Sequence, residues 1–241
     1  MSYDSSDDHI YFNLKSDDTA LQMKIETKSN FDLKESKGDH RLLDIFDDAC
    51  FCYLKTDRVS PANDFPFSEE KVNKNLIGSK GEYKAHFLAE KNHHILDVKA
   101  LKHPKSITYQ LLENASHWLG EISSGVTVSS KTYPELQRVS LSYQYEYGGD
   151  ITFPLSPLHV GFGLTYVLPV IVAILKSKAG DFIVIENPES HLHPKGQARM
   201  AELCAIAAHN GVQIIVETHS DHFLNNKVIA PDESQIYYFK K

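Results

Sequence analysis

The sequence predicts an α/β fold: a mostly parallel sheet flanked by helices, with an antiparallel N-terminal part. Three observations carry this expectation. "FIVIE" (182–186) and "VQIIVE" (212–217) are apolar strand-length runs that alternate with helical stretches, the pattern of a parallel sheet covered on both faces. Residues 10–27 alternate loosely, and Val139, Leu141, Tyr143, Tyr145 and Tyr147 recur every second residue, as half-exposed antiparallel strands do. Hydrophobic residues make up 41% of the 241 and charged residues 24%, enough for a substantial core in one large domain or two small ones.

Taken in order, Tyr11, Leu21, Met23 and Ile25 belong to a pair of strands joined by a turn at "KSDDT" (15–19). The chain is polar from Lys28 to Asp39. "RLLDIFDDACFCYL" (41–54) then reads as a short helix followed by a strand at Cys50–Leu54. Pro61, Pro66 and the Asn and Asp between them mark 58–75 as a loop. In "SITYQLLENASHWLGEI" (106–122), Ile107, Leu111, Ala115, Trp118, Leu119 and Ile122 share one helical stripe, with Ser106 placed to cap it. The strand of Val139 to Tyr147 closes on the turn Gly148-Gly149. After Phe153 a long apolar helix starts near Val160, followed by the strand 182–186, a helix from Pro194 to about Asn210, a stop at Gly211, the strand 212–217 and another short helix. The halves divide at 1–152 and 153–241.

Net charge is -7, so no general attraction to nucleic acid or to an anionic membrane is expected. No basic stripe or long heptad run indicates direct nucleic-acid binding. Cys50, Cys52 and Cys204 are an odd number without a C-x-x-C pair, which fits a reducing compartment. No positively charged start precedes an apolar run, and the stretch 160–175 is interrupted by Gly161, Gly163 and Pro169. The expectation is a soluble, cytoplasmic protein without a membrane partner.

In parallel sheets ligands gather outside the carboxyl ends of the strands. Glu186 and the pair Thr218-His219 stand at two such ends. Four apolar residues before Glu186 favour a rigidly delivered carboxylate, suited to a hard cation, over a surface acid paired with a lysine. A His after a buried strand is by itself more often structural. Taken alone, "LSPLHVGFG" (155–163) reads as a glycine-rich helix start packed in a core.

Together, "LSPLHVGFGLTYVLP" (155–169), "FIVIENPESHLHP" (182–194) and "IIVETHSDHFLN" (214–225) resemble, in order and spacing, the C-terminal half of an ABC-type ATPase of the SMC and OLD kind, in the bacterial AAA family ATPase group linked to phage defence. "YLKTDRVSP" (53–61) and "IGSKGEY" (77–83) extend the likeness more weakly. The resemblance implies an incomplete P-loop NTPase domain that uses ATP and Mg2+. Ser156, Gly161 and Gly163 would be the signature motif reaching a nucleotide across a dimer. Glu186 would be the Walker B acid on Mg2+, and His219 the switch residue at the terminal phosphate. It also implies a homodimer or a P-loop-containing partner polypeptide, with any nuclease activity belonging to a further partner.

Two departures follow. The commoner Walker B ending places a catalytic Glu directly after the metal acid, and here that position is Asn187. An amide orients water but cannot take its proton. Glu189 would reach the water only if the turn folds back, so slow hydrolysis with nucleotide acting as a dimer clamp is expected. The second departure is the absence of G-x-x-x-x-G-K-[ST], the phosphate cradle; "GSKGEY" has neither its spacing nor its Lys-Ser ending. A truncated or split family member is expected, binding ATP poorly alone. The alternatives are a non-enzymatic remnant or interaction module, and a metal-dependent hydrolase built from Glu189, His191, His193, His219, Asp221 and His222.

Overall fold

A computed structural model describes residues 9–16, 19–26, 33–38 and 50–224. The chain separates into two compact units, residues 1–47 and 48–241. In the first unit, β1 (His9–Ser16), β2 (Thr19–Glu26) and β3 (Leu33–Gly38) form an antiparallel sheet in that order. Ser16 pairs with Thr19, so the expected turn sits where "KSDDT" places it. The polar β3 carries no apolar alternation to reveal it, and it pairs along β2 with a register shift at Lys24/Ile25.

The second unit holds two sheets and the helices between them. The parallel sheet has the order β10-β9-β4, from β4 (Phe51–Leu54), β9 (Phe182–Glu186) and β10 (Gln213–Glu217). The antiparallel sheet joins β5 (Phe65–Pro66), β7 (Arg138–Tyr147) and β6 (Val126–Tyr133), with β8 (Asp150–Ile151) on β7. The expected α/β class, with a parallel sheet following antiparallel N-terminal strands, is what the structure shows. The turn at Gly148-Gly149 lies between β7 and β8 as expected, and both glycines have positive φ.

The core is organised around α4 (Phe162–Leu175), buried from Leu164 to Leu175. Pro169 lies inside this helix, and its ring packs against Gly81, where a Cβ would come within 2.3 Å of the proline Cβ. Against α4 pack α2 (Lys84–Glu90), α3 (Leu111–Ile122) and α5 (Pro194–His209). Gly211, with φ +87, ends the turn after α5 before β10 begins. Among the described residues, no helix is long and apolar enough to cross a membrane.

Four expectations are corrected. The region 58–75 is not all loop: it contains β5 and α1 (Glu69–Asn73), the latter capped by Ser68, whose hydroxyl accepts from the Lys71 N–H at 3.4 Å. The amphipathic helix does not start at Ser106. Glu113 accepts from the Ile107 and Thr108 N–H groups at 2.6 and 2.9 Å, holding 107–108 in a turn, so α3 begins at Leu111 and Ile107 is 89% exposed. The parallel sheet is not evenly covered. Cys52 and Leu54, Ile183 and Ile185, and Ile214 and Val216 line the face packed on the core, whereas Ile215 on the opposite face is 50% exposed because β10 ends the sheet among the described residues. The strand 212–217 is therefore part-exposed, not a fully buried strand. The helix expected within 41–49 lies outside the described residues.

Candidate functional site at the sheet's carboxyl edge

Parallel pairing in register places Glu186 and Glu217 side by side at the ends of β9 and β10, and the Asn187 N–H donates to the Glu217 carbonyl at 2.8 Å. The third strand contributes from its own carboxyl end. The Tyr53 hydroxyl donates to Glu186 Oε1, while the Thr56 N–H and hydroxyl donate to Oε2 at 2.7 and 3.0 Å. Led by the Tyr53 hydroxyl and then the Thr56 amide, these donors hold the Glu186 carboxyl below its ordinary range. Glu186 is thus ionised and oriented by Tyr53 of β4 and by Thr56 just past its end.

Immediately after β9 the chain reverses. Asn187 has φ +44, a left-handed conformation that Asn tolerates better than most residues. Arg58 secures this bend from beneath: its guanidinium donates to the carbonyls of Glu186 and Asn187, the latter at 3.3 Å, and lies 4.7 Å from the Tyr166 ring centre. Arg58 is 3% exposed, and burial pulls its pKa down against the opposing influence of Tyr166, Glu189 and Glu186. The neighbouring Asp57 pairs with Lys80 at 2.5 Å.

Glu189 does fold back, though toward the turn after β10. Its Oε1 accepts from the His219 N–H at 3.1 Å, and its Oε2 is buried with no hydrogen-bond partner among the described residues. The same turn is held by Gln197, which accepts from the Ser220 hydroxyl at 2.5 Å, and Ser220 in turn accepts from the Phe223 N–H to open α6 (Asp221–Leu224). The His219 side chain is left 84% exposed, with Nε2 3.3 Å from Glu217 Oε1. Asn187 Nδ2 donates to Glu217 Oε2 at 2.8 Å and to the Thr56 hydroxyl at 3.0 Å. Glu186, Asn187, Thr56, Glu217 and His219 therefore form one connected rim.

Ser156, Gly161 and Gly163, expected to form a signature motif, stand apart from that rim. The Ser156 hydroxyl lies 3.2 Å from His159 Nδ1, and neither Ser156 nor Gly161 is bonded to the Glu186 group among the described residues. Gly161 opens to solvent at the start of α4, where its N–H end of the helix suits an anion. Gly163 does something different: a Cβ there would come 2.6 Å from the His191 carbonyl oxygen, so its lack of a side chain lets α4 close on the loop after β9. Phe162 and Tyr166 meet the His191 ring edge-on at 4.7 and 5.1 Å.

These contacts correct the metal-hydrolase expectation. His191 is committed to the aromatic contacts and His193 precedes α5, and among the described residues no group of three His, Cys, Asp or Glu side chains is arranged to hold a metal ion. The Glu186 carboxylate fits Mg2+ of the kind held by one or two carboxylates plus water and phosphate, rather than an all-protein cage. Among the described residues, the backbone N–H groups at the start of α4 and in the turn after β10 are those placed to meet an anion. Sequence reasoning missed Tyr53, Thr56, Glu217 and Gln197. The rule that found Glu186, namely that parallel strands deliver groups at their carboxyl ends, would have found Thr56 and Glu217 had it been applied to all three strands.

Several solved structures are similar to the chain, among them the following three. The Smc head domain with an extended coiled coil bound to the C-terminal domain of ScpA, from Pyrococcus furiosus, is 21% identical, with 48% of this chain covering 29% of that one at a TM-score of 0.36. The SmcHead bound to the C-winged helix domain of ScpA is 17% identical, with 90% of this chain covering 67% of that one at 0.49. A structure from work on ATP-driven dimerization and DNA-stimulated activation of SMC ATPases is 20% identical, with 48% of this chain covering 71% of that one at 0.37. No curated protein matches the chain. The profile of one family matches residues 65–225, more than half of the 241 residues, and takes in β5 through α6 with the whole rim except Tyr53, Thr56 and Arg58. The chain belongs to that family, described as "AAA domain, putative AbiEii toxin, Type IV TA system".

Proposed function

We propose that the chain supplies the acid strand, switch turn and signature helix of an ATP-hydrolysing site whose phosphate cradle comes from a P-loop outside these 241 residues. The observation that carries this reading is the rim itself: Glu186, held ionised by Tyr53 and Thr56, stands beside a switch turn whose backbone is pinned by Glu189 and whose His219 side chain is free to face a ligand. Mg2+, when bound, supplies positive charge to phosphate oxygens, and Glu186 is the residue that holds it. His219 donates toward the terminal phosphate. Ser156 and the open end of α4 at Gly161 serve the nucleotide of a second head in a homodimer, whereas Gly163 acts only through packing. The toxin and antitoxin wording of the family description supports a setting in phage defence.

Calorimetric titration with ATP and Mg2+ tests the reading, with the full chain alone and mixed with a P-loop polypeptide encoded beside it. Weak binding alone, tight binding in the mixture, and loss of the Mg2+ dependence in Glu186→Gln are expected. Absence of nucleotide binding by the wild-type chain in both states would overturn the proposal and leave an interaction module.

A further inference from the structure

We infer that Glu217, on β10, is the general base of this site, and that Asn187 is the positioning residue that holds it. The inference rests on the ATP-hydrolysing reading above. An amide at position 187 cannot accept a proton, so a site that hydrolyses ATP needs its carboxylate elsewhere. Two other carboxylates reach the rim, and both are already committed. Glu186 is oriented by Tyr53 and Thr56, and in the reading above its remaining lone pairs are the ones that would hold Mg2+. Glu189 is 8% exposed and its reachable oxygen is spent on the His219 N–H, behind the turn rather than in front of it.

Glu217 differs in its exposure, and its Oε1 meets only the solvent-exposed His219 ring. Its side chain is 53% exposed, so water reaches it, and it stands at the end of the neighbouring strand in register with Glu186. Asn187 Nδ2 fixes Oε2 at 2.8 Å, while Oε1 faces His219 Nε2 at 3.3 Å. The Asn187 amide is itself anchored by its second bond to the Thr56 hydroxyl and by the Arg58 clamp on its carbonyl. The carboxylate that sequence logic seeks at the end of β9 is thus offered about one hydrogen bond away, at the end of β10.

The step balances without a further reactant. A water oxygen forms a bond to the terminal phosphorus of ATP, and its proton passes to the Glu217 carboxylate. The bond from that phosphorus to the bridging oxygen breaks, and ADP leaves with the electron pair. His219, beside both groups, steadies the carboxylate and the transferred phosphoryl oxygens. The side-chain exposure of Glu217 and His219 is what a site awaiting a second surface presents.

The test compares the wild-type full chain, Glu217→Gln, Glu217→Asp and the exchange Asn187→Glu/Glu217→Gln, each mixed with the P-loop polypeptide and supplied with ATP and Mg2+. Glu217→Gln should lower kcat by about 100-fold or more, within the range typical of a lost general base, at unchanged KM and unchanged ATP affinity. The acid limb of its kcat profile should also disappear. Glu217→Asp should recover part of the rate, and the exchange should recover more, because it moves the carboxylate by one hydrogen-bond length. In the chain without nucleotide, Asn187→Ala should change the carboxyl carbon resonance of Glu217, which a side chain not held by Asn187 would not show. Wild-type turnover by Glu217→Gln would overturn the role of Glu217 while leaving the ATPase reading intact. A raised Mg2+ requirement in that variant would overturn it in favour of an ion ligand. No ATP binding by the wild-type mixture would overturn the underlying reading, and the inference with it.

Discussion

Replacing Gly163 by Ala separates packing from ligand contact within the signature motif. Its Cβ would stand 2.6 Å from the His191 carbonyl oxygen, about 0.8 Å inside the 3.4 Å at which ordinary contact begins, and 3.4 Å from the Leu192 side chain. The obstacle is backbone, in a loop where His191 holds φ +63 and cannot rotate out of the way cheaply. Overpacking of this kind costs about 1–3 kcal/mol, against a gain of up to ~1 kcal/mol from replacing a helical glycine by alanine. With the backbone obstacle placing the cost in the upper part of its range, the net loss is up to about 2–3 kcal/mol, which lowers the melting temperature of a chain this size by up to roughly 4–12 °C. Gly161→Ser is the control: nothing lies within 4 Å of its Cβ, its φ is -57°, and Ser is a better N-cap than Gly by a few tenths of a kcal/mol at about the same φ. Thermal unfolding followed by far-ultraviolet circular dichroism reads both, and the His191 ring proton shifts report whether Phe162 and Tyr166 still face that ring. A Gly163→Ala chain as stable as wild type, with those shifts unchanged, would refute the close approach.

Three further outcomes are expected. Lys84 is fully buried, its Nζ 4.3 Å from the Phe65 ring centre and 3.4 Å from the Gly81 carbonyl, and burial, opposed by Glu82, lowers its pKa from 10.5 to about 7. The unfolded chain therefore binds the extra proton between about pH 7 and about pH 10.5, and stability rises with pH across that window by up to ~1.4 kcal/mol per unit; Lys84→Met should flatten the slope in urea unfolding and be the more stable chain near neutral pH. Tyr53→Phe removes the leading donor to Glu186, so the Glu186 carboxyl should titrate at higher pH in carbon NMR, with Thr56 still holding part of the shift. Arg58→Lys should cost about 2 kcal/mol in unfolding experiments, because an ammonium cannot serve two adjacent carbonyls and the Tyr166 face together.

The parallel unit was legible because its strands are apolar runs and its helices are long and periodic. β9 falls where its five residues predict it, and α5 ends within one residue of its expected stop. The elements that escaped are short or polar. β5 has two residues and α1 has five, too few for any period to show. β6 reads "VTVSSKTY", its alternation carried only by Val126 and Val128. α3 was displaced because a charged side chain outcompeted the apolar stripe: Glu113 ties down 107–108, and no hydrophobic pattern reports such a bond. At the site, Glu186, Asn187, Glu189 and His219 were found from one stretch and its neighbour, whereas Tyr53 and Thr56 lie 133 and 130 residues from Glu186 in the chain. A parallel sheet joins such distant segments only once its order β10-β9-β4 is known.

The division of burial across the rim sets what each residue is for. Arg58 and Glu189 are 3% and 8% exposed, and both act on backbone: Arg58 on the carbonyls at the end of β9, Glu189 on the N–H of His219. Removing either leaves buried groups unpaired, at about 1–3 kcal/mol each, and loosens both bends together, because the negative charge of Glu189 also favours the charged form of Arg58. Glu217 and His219 carry their side chains into solvent, where substitutions ordinarily change stability by no more than ~0.5 kcal/mol. Asn187 lies between the two sets: its backbone belongs to the bend that Arg58 clamps, and its amide belongs to the exposed carboxylate of Glu217. Left-handed backbone at this position suits Asn better than Glu. The same residue that secures the bend thus displaces the carboxylate to the next strand. That displacement is coherent only if the neighbouring strand stays in register, which the Asn187 N–H bond to the Glu217 carbonyl ensures by extending the β9–β10 ladder one step past the last paired residues.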